Sequence, residues 1–370
     1  MSDAASPIPA PAIRFDAPGN GIGFVVLDRP EALNALSREM LLALHRQLDA
    51  WRDDPAVHAV VACSSRPRAF CAGGDIKRLH ALHTEKRGAD ILAFFCDEYD
   101  CDHAIYAYPK PYIALMDGIV MGGGMGISQG ASLTGGLRVV TPASRLAMPG
   151  TRIGLVPDVG VSWILARTPG RLGEYLAVTG LSVEGADACY AGLADCLCSE
   201  QTMADLPTRL RARSFRDGTE AVDFVRESAE ADAQMPQAST LAAAQADIDR
   251  HFSAPSLAEI ARSLAADGSE WARSVVQTLG ERSPLSMALA LRHLRHAREQ
   301  SIAECLREDM ILVARVFEHG DIVEGIRALL IDKDSRPVWK YADIDALADV
   351  DLDSYFLSPW PHHPLAHLGV

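Results

Sequence analysis

The chain has 370 residues, 48% hydrophobic and 23% charged, enough apolar material for a large core in one big domain or two moderate ones. Its net charge of −14 argues against a general nucleic-acid or anionic-membrane binder, because counterion release needs a basic surface. An anionic ligand would have to be met by a local basic patch. No stretch reaches the roughly 18 apolar residues of a membrane span, and Met1 to Ala12 is Pro/Ala-rich, expected to be flexible, and lacks the pattern of a secretory leader. A cytoplasmic location is therefore expected. The eight cysteines show no C-x-x-C spacing and read as free, mostly buried thiols. His45, His80, His103 and His319 have no ligand spacing with other His, Cys or Asp, so no metal is assigned.

In chain order, Gly23 to Leu27 reads as a strand, and Ser37 opens a helix with Leu41, Leu44, Leu48 and Trp51 on one stripe. Short apolar runs at Val57 to Ala62, Tyr112 to Met116 and Leu137 to Thr141 read as further strands, each bounded by Gly, Pro or Asp. Glu227 to Thr240 turns polar and marks a soft boundary. Beyond it, helices are predicted at Leu257 to Leu264, Glu270 to Leu279, Leu285 to His296 and Ile302 to Phe317, from apolar residues at three- and four-residue spacing. An α/β core followed by a helical module is the simplest architecture.

Two glycine clusters carry the first chemical signal. Phe70-Cys71-Ala72-Gly73-Gly74-Asp75-Ile76 follows one predicted strand, and Gly122-Gly123-Gly124 follows another and leads into a helix. Turns of this kind leave backbone amides exposed, and two of them side by side could clamp one carbonyl oxygen, as an enolate or tetrahedral oxyanion requires. Asp75 would support the first turn by accepting backbone hydrogen bonds. Lys77, Arg78, Arg66 and Arg68 flank it and offer the basic patch that a phosphate group needs.

Taken with Arg29-Pro30-Glu31-Ala32-Leu33-Asn34-Ala35-Leu36 near the start and Lys110-Pro111-Tyr112-Ile113-Ala114 running into Asp117-Gly118, these clusters resemble the crotonase (enoyl-CoA hydratase/isomerase) superfamily in order and spacing. The resemblance implies a spiral of ββα units over 13–226 that binds coenzyme A, a C-terminal helical region over 241–350, and two backbone amides, those of Ala72 and Gly123, holding the thioester oxygen. It implies an acyl-CoA substrate, no cofactor beyond the coenzyme A of that substrate, with Lys77 and Arg78 the candidates for contacting it, and a homo-oligomer, relatives often forming trimers.

The branch within the superfamily is read from the rest of the chain. Hydratases carry a glutamate two residues beyond the glycine triplet, where this chain has Gly126. Glu98-Tyr99, Gly154-Leu155-Val156-Pro157-Asp158-Val159-Gly160 and the tail from Glu324 to Asp334 resemble the 3-hydroxyisobutyryl-CoA hydrolase branch instead. That resemblance implies thioester hydrolysis in valine catabolism, with Asp158 as acid/base and Glu98 holding the substrate hydroxyl or the water. One departure stands out: the branch motif Met-Pro-Glu-Thr reads Met148-Pro149-Gly150-Thr151, so a carboxylate is missing. If Gly150 leaves open space beside the acyl group, Gly150→Glu should raise hydrolysis. The alternatives are an enoyl-CoA hydratase or isomerase with Asp158 as its lone proton carrier, and a catalytically silent acyl-CoA-binding protein.

Overall fold

The computed structural model describes residues 12–231 and 238–369. The Pro/Ala-rich start up to residue 11 and residues 232–237 of the polar connector lie outside the described residues.

The strands are β1 (Ile13–Asp16), β2 (Gly21–Leu27), β3 (Val57–Ser64), β4 (Ala69–Cys71), β5 (Tyr112–Met116), β6 (Ile119–Met121), β7 (Leu137–Val140), β8 (Arg145–Ala147), β9 (Val183–Glu184) and β10 (Cys196–Leu197). They form a six-stranded sheet in the order β1-β2-β3-β5-β7-β10 and a four-stranded sheet in the order β4-β6-β8-β9. From β2 to β10 the large sheet is parallel, with β1 antiparallel at its edge. In the small sheet β4, β6 and β8 run parallel and β9 turns back. The pairs β3–β4, β5–β6 and β7–β8 each send one strand into either sheet and then continue into helix. These are the ββα units that the motifs implied.

The helices are α1 (Arg38–Arg52), α2 (Ile76–Thr84), α3 (Gly88–Tyr106), α4 (Gly123–Gln129), α5 (Val161–Leu165), α6 (Leu172–Thr179), α7 (Gly185–Tyr190), α8 (Glu200–Arg211), α9 (Gly218–Glu230), α10 (Thr240–Phe252), α11 (Leu257–Asp267), α12 (Glu270–Gly280), α13 (Pro284–His296), α14 (Ile302–His319) and α15 (Ile322–Ile326). Ser37 caps α1 by accepting from the Met40 amide at 3.3 Å, and the stripe from Leu41 to Trp51 is buried as its periodicity predicts.

All seven residues of β2 are buried because the large sheet is covered on both faces. With the two-residue period of a strand, Val25, Leu27, Val60 and Ala62 join the core against α1 and α3. Ile22, Phe24, Val26, Ala59 and Val61 join a second cluster under α8 and α9. The main cluster runs without interruption from Ile13 through the C-terminal helices to Leu368. Those helices pack directly behind the turns that follow β8: Ser283 donates its amide to the Thr151 carbonyl, and the chain at Gly154 lies tight against the Asp321 backbone.

Among the described residues no helix is long and apolar enough to cross a membrane. Cys63, Cys71, Cys96, Cys101, Cys189, Cys196 and Cys305 are free thiols, five of them buried.

Candidate active site

Three turns, one from each ββα unit, leave the C-terminal ends of β4, β6 and β8 and meet around one cavity of about 80 Å³. It is lined by Ala72, Gly73 and Gly74 from the first turn, Gly122 and Gly123 from the second, Met148 to Gly150 and Asp158 from the third, and Phe94, Phe95 and Glu98 from α3. Ligand sites outside the carboxyl ends of parallel strands are the general expectation for such sheets. Ala72, Gly123, Glu98 and Asp158, which come from four separate stretches of chain, therefore share one site.

The first turn is braced by the chain's opening motif. Asn34, itself at φ +56°, sends its side-chain amide to the Ala69 and Phe70 carbonyls at 3.0 Å each. Arg29 bonds Asp75 at 2.9 Å, while the other Asp75 oxygen caps α2 through the Arg78 amide at 3.2 Å. The Leu36 amide donates to the Gly73 carbonyl at 2.8 Å, and Asp75 returns its own amide to the Leu36 carbonyl at 2.9 Å. Two motifs forty residues apart thus form one rigid structure. Gly73 needs its missing side chain, since it sits at φ +105° with the Met121 carbonyl 3.0 Å from where a Cβ would lie.

One amide differs from the expectation. Ala72 donates its N–H to the Leu33 carbonyl at 3.0 Å, so it is not free to receive a ligand oxygen. The amides of Gly74 and Gly123 have no acceptor among the described residues, and the Gly74 nitrogen lies 3.4 Å from the point where a Gly123 Cβ would sit. Gly123 opens α4, where the first N–H groups of a helix have no partner within it. The unpaired amide beside Gly123 therefore belongs to Gly74. The two alternatives lie within one Gly-rich turn, and only the bond to Leu33 separates them.

Two carboxyls reach the cavity. Glu98, 2% exposed on α3, points Oε1 at the backbone of Gly123, and this oxygen has no hydrogen-bond partner among the described residues. Burial, reinforced by nearby Asp158, pushes its pKa well above the usual carboxylate range, so it keeps its proton. Asp158, 4% exposed, accepts the Tyr99 hydroxyl at 2.8 Å. Burial first, then the charge of Asp309, raises Asp158 to about 7. Its turn is strained: Val159, a β-branched residue, sits at φ +55°, a conformation costing about 1–3 kcal/mol unless the surroundings enforce it.

The two informative glycines are both tight. A Cβ on Gly150 would lie 2.8 Å from the Val156 carbonyl oxygen and 3.1 Å from the Leu155 carbonyl carbon, both rigid backbone. The expectation that Gly150 leaves room for a glutamate fails here: its φ is ordinary, but the following turn folds back over it. Gly150→Glu is accordingly expected to lower stability by about 1–3 kcal/mol through overpacking, with no gain in hydrolysis. Urea unfolding beside a rate assay checks this, and a stable, faster variant contradicts it. At Gly126 a Cβ would lie 2.7 and 2.8 Å from the two Asp102 oxygens. Asp102 is fully buried, both its oxygens lack hydrogen-bond partners among the described residues, and burial with the neighbouring Glu98 drives its pKa far up. A neutral carboxyl from α3 occupies the space into which a side chain at 126 would grow.

Lys77 and Arg78 lie outside this cavity, exposed on α2. Arg78 borders an adjoining depression of about 370 Å³ with Arg38, Arg87 and Phe94, the last shared with the site. Each arginine also faces an acid: Arg38 pairs with Asp97, Arg78 with Glu85 at 3.3 Å and Arg87 with Asp90 at 2.8 Å. Arg66 lines a different depression beside Met203, on the far side of β3. Sequence reading missed Arg38 and Arg87 because they belong to α1 and to the start of α3, away from the glycine motif. It also missed Tyr99 as a partner of Asp158, although Tyr99 stands next to Glu98.

Comparison with known proteins agrees with this geometry. Residues 22–356 match the family model described as Enoyl-CoA hydratase/isomerase. Two curated relatives, the mitochondrial 3-hydroxyisobutyryl-CoA hydrolases of Rattus norvegicus and Homo sapiens, are 38% and 35% identical; both alignments cover 91% of this chain and 86% of the relative. Among solved structures, an enoyl-CoA hydratase from Rhodobacter sphaeroides is 35% identical with a TM-score of 0.83, covering 94% of this chain and 98% of that one. A carnitinyl-CoA dehydratase from Mycobacterium thermoresistibile is 33% identical with a TM-score of 0.85, covering 95% and 98%. With its ββα units, its paired glycine turns and a family match over most of its length, the chain belongs to the enoyl-CoA hydratase/isomerase family.

Proposed function

We propose that this protein hydrolyses a short β-hydroxyacyl-CoA thioester, 3-hydroxyisobutyryl-CoA or a close analogue, releasing free coenzyme A, a step that belongs to valine breakdown. The observation carrying this reading is the juxtaposition of unpaired Gly74 and Gly123 amides with two buried carboxyls of different proton affinity, in a chain whose curated relatives are named 3-hydroxyisobutyryl-CoA hydrolases.

The thioester oxygen lies between the Gly74 and Gly123 amides, which strengthen their hold as it gains negative charge. Asp158, with its pKa near neutrality, takes a proton from water as the water oxygen bonds to the carbonyl carbon. The C–S bond of the tetrahedral adduct then breaks, and the departing sulfur receives the proton held by Asp158. Glu98, retaining its own proton, donates a hydrogen bond to the acyl hydroxyl or to the adduct. Pairs of acids pushed apart in pKa by their surroundings divide roles in this way. Arg38, Arg78, Arg87 and the exposed Lys77 meet the phosphates of coenzyme A in an otherwise acidic protein. The named relatives are mitochondrial; for this chain a cytoplasmic site of action is our reading, and cell fractionation tests it.

A hydratase is the second reading, favoured by the two similar solved structures, an enoyl-CoA hydratase and a carnitinyl-CoA dehydratase. It is weakened by Gly126, where the neutral Asp102 fills the way to the site, and by Gly150. Thiol release measured over short acyl-CoAs with and without a β-hydroxyl decides between them: hydrolysis liberates thiol, whereas hydration changes unsaturation and leaves the thioester intact. Tight binding with neither reaction would reveal a silent binder.

A pH dependence follows. A base acts deprotonated, so kcat/KM is expected to rise with pH through an apparent pKa of about 7 and then level off. A flat profile between pH 5 and pH 9, limits set about two units either side of that midpoint, removes Asp158 as the base.

A further inference from the structure

Behind the cavity, and contributing nothing to its lining, α13 and α14 carry a buried ionic chain. Asp309 and His293 are both fully buried. One Asp309 oxygen accepts the Gly160 amide at 2.8 Å, and the other meets His293 Nε2 at 2.6 Å. His293 Nδ1 meets Glu308 at 2.7 Å, and Glu308 is held in turn by His296 and Gln300, both at 3.0 Å.

We propose that the His293–Asp309 pair of the C-terminal helices is a positioning device for Asp158, fixing the Asp158-Val159-Gly160 turn through the Gly160 amide and setting the charge that Asp158 experiences. This rests on the reading of Asp158 as the base. The turn needs such a device, because Val159 and Gly160 both lie at positive φ, +55° and +72°, and a β-branched residue leaves that region unless it is held. From α3 the turn is gripped by the Tyr99 hydroxyl on Asp158 and, at 3.4 Å, by the Tyr106 hydroxyl on the Val159 carbonyl. From α14 Asp309 supplies the hydrogen bond to the Gly160 amide, and the Ile302 and Leu306 side chains lie close against Gly160. With both its oxygens engaged, Asp309 cannot swing away, and His293 cannot turn because Glu308 holds its other nitrogen.

A buried ion pair is poor evidence for stability, since apolar replacements of similar volume are often as stable. Its contact with the backbone two residues beyond the base gives it a use. Asp158 is faced by Glu98, Tyr99 and Asp102 from α3, by Asp309 from α14 and by His293 from α13. Asp309 raises the proton affinity of Asp158 and His293 lowers it. Burial opposes charge on His293, but Asp309 and Glu308 outweigh it and hold the imidazolium up to about 9. His293 thus holds its charge through the working range, while burial raises Asp309 itself above the usual carboxylate range, opposed by the imidazolium and the Gly160 amide.

Two variants separate tether from charge. Asp309→Ala cuts the bond to Gly160, and we expect kcat to fall at least about tenfold with KM changed by less than about threefold, as for a misplaced catalytic group. Asp309→Asn keeps an oxygen for the Gly160 amide and removes the charge; kcat should return to within about threefold of wild type, with the acid limb of kcat/KM moved down by about half a unit or more. Folding is checked by circular dichroism and thermal melting. A folded Asp309→Ala with undiminished kcat overturns the proposal, as does an Asp309→Asn whose acid limb stays in place, and the second result decides alone if the alanine variant does not fold. An Asp158→Asn protein with full activity would instead overturn the reading of the base itself.

Discussion

Gly123→Val is expected to abolish measurable turnover while leaving the protein folded. Losing the use of one donor of an oxyanion site costs about a hundred- to a thousandfold in rate; valine keeps the backbone N–H, but its side chain pushes the thioester oxygen off it. Its Cβ would run into Glu98 Oε1 and lie 3.1 Å from a Leu36 methyl, so the carboxyl must swing out of the cavity and the space for the thioester closes. The fold can absorb this because the nearest obstruction is the end of a side chain, unlike at Gly124, where a Cβ would strike the Cys71 carbonyl. Thiol release and the melting temperature, measured together on the purified variant, provide the test. A folded Gly123→Val with near-normal rates means that the thioester oxygen is held elsewhere. Gly74→Val applies the same logic to the partner amide; there a Cβ would meet the Phe94 ring at 3.1 Å.

The glycine clusters were legible because a backbone close approach leaves a local mark: small residues at fixed spacing after a strand. The long strands and the amphipathic helices were legible for the same reason, each carrying its own period. The three-residue strands β4, β6 and β8 carry none, being too short, yet they aim all three site turns. Which amide of Phe70-Cys71-Ala72-Gly73-Gly74 is free depends on where Leu33 places its carbonyl, a contact across about forty residues that no local pattern encodes. Gly150 misled for a related reason. A glycine where a carboxylate is expected suggests an open space, and the turn at Leu155-Val156 that fills it is recognisable as a turn but not as a lid. His293 and Asp309 were invisible because each reads as an ordinary polar position in an amphipathic helix; only the side-chain bonds from His293 on α13 to Glu308 and Asp309 on α14 join them.

Asp158→Asn is the second large effect expected: a fall of about a hundredfold or more in hydrolysis, with binding of coenzyme A retained, as for a positioned proton carrier. The substitution is nearly isosteric, and an asparagine oxygen can still accept the Tyr99 hydroxyl that now lies 2.8 Å from the carboxylate. The Gly160 amide would stay on Asp309 and the Val159 carbonyl on Tyr106, so the turn keeps its anchors. What is lost is the ability to hold and release a proton near neutral pH. The rising limb of the pH profile should vanish with it, leaving a low, flat residual rate from the Gly74 and Gly123 amides. Fold stability should hold or rise, since a buried carboxyl whose folded pKa stands above its unfolded value loses stability as pH climbs past the latter, and asparagine carries no such charge. Hydrolysis across pH 5 to 9, about two units either side of the wild-type midpoint, with urea unfolding at both ends, reads all three consequences. Rapid hydrolysis by the folded variant would leave Glu98, the other carboxyl in the cavity, as the group that must activate water. A variant that loses its fold while its specific activity per folded molecule is unchanged would make Asp158 a structural residue of the turn.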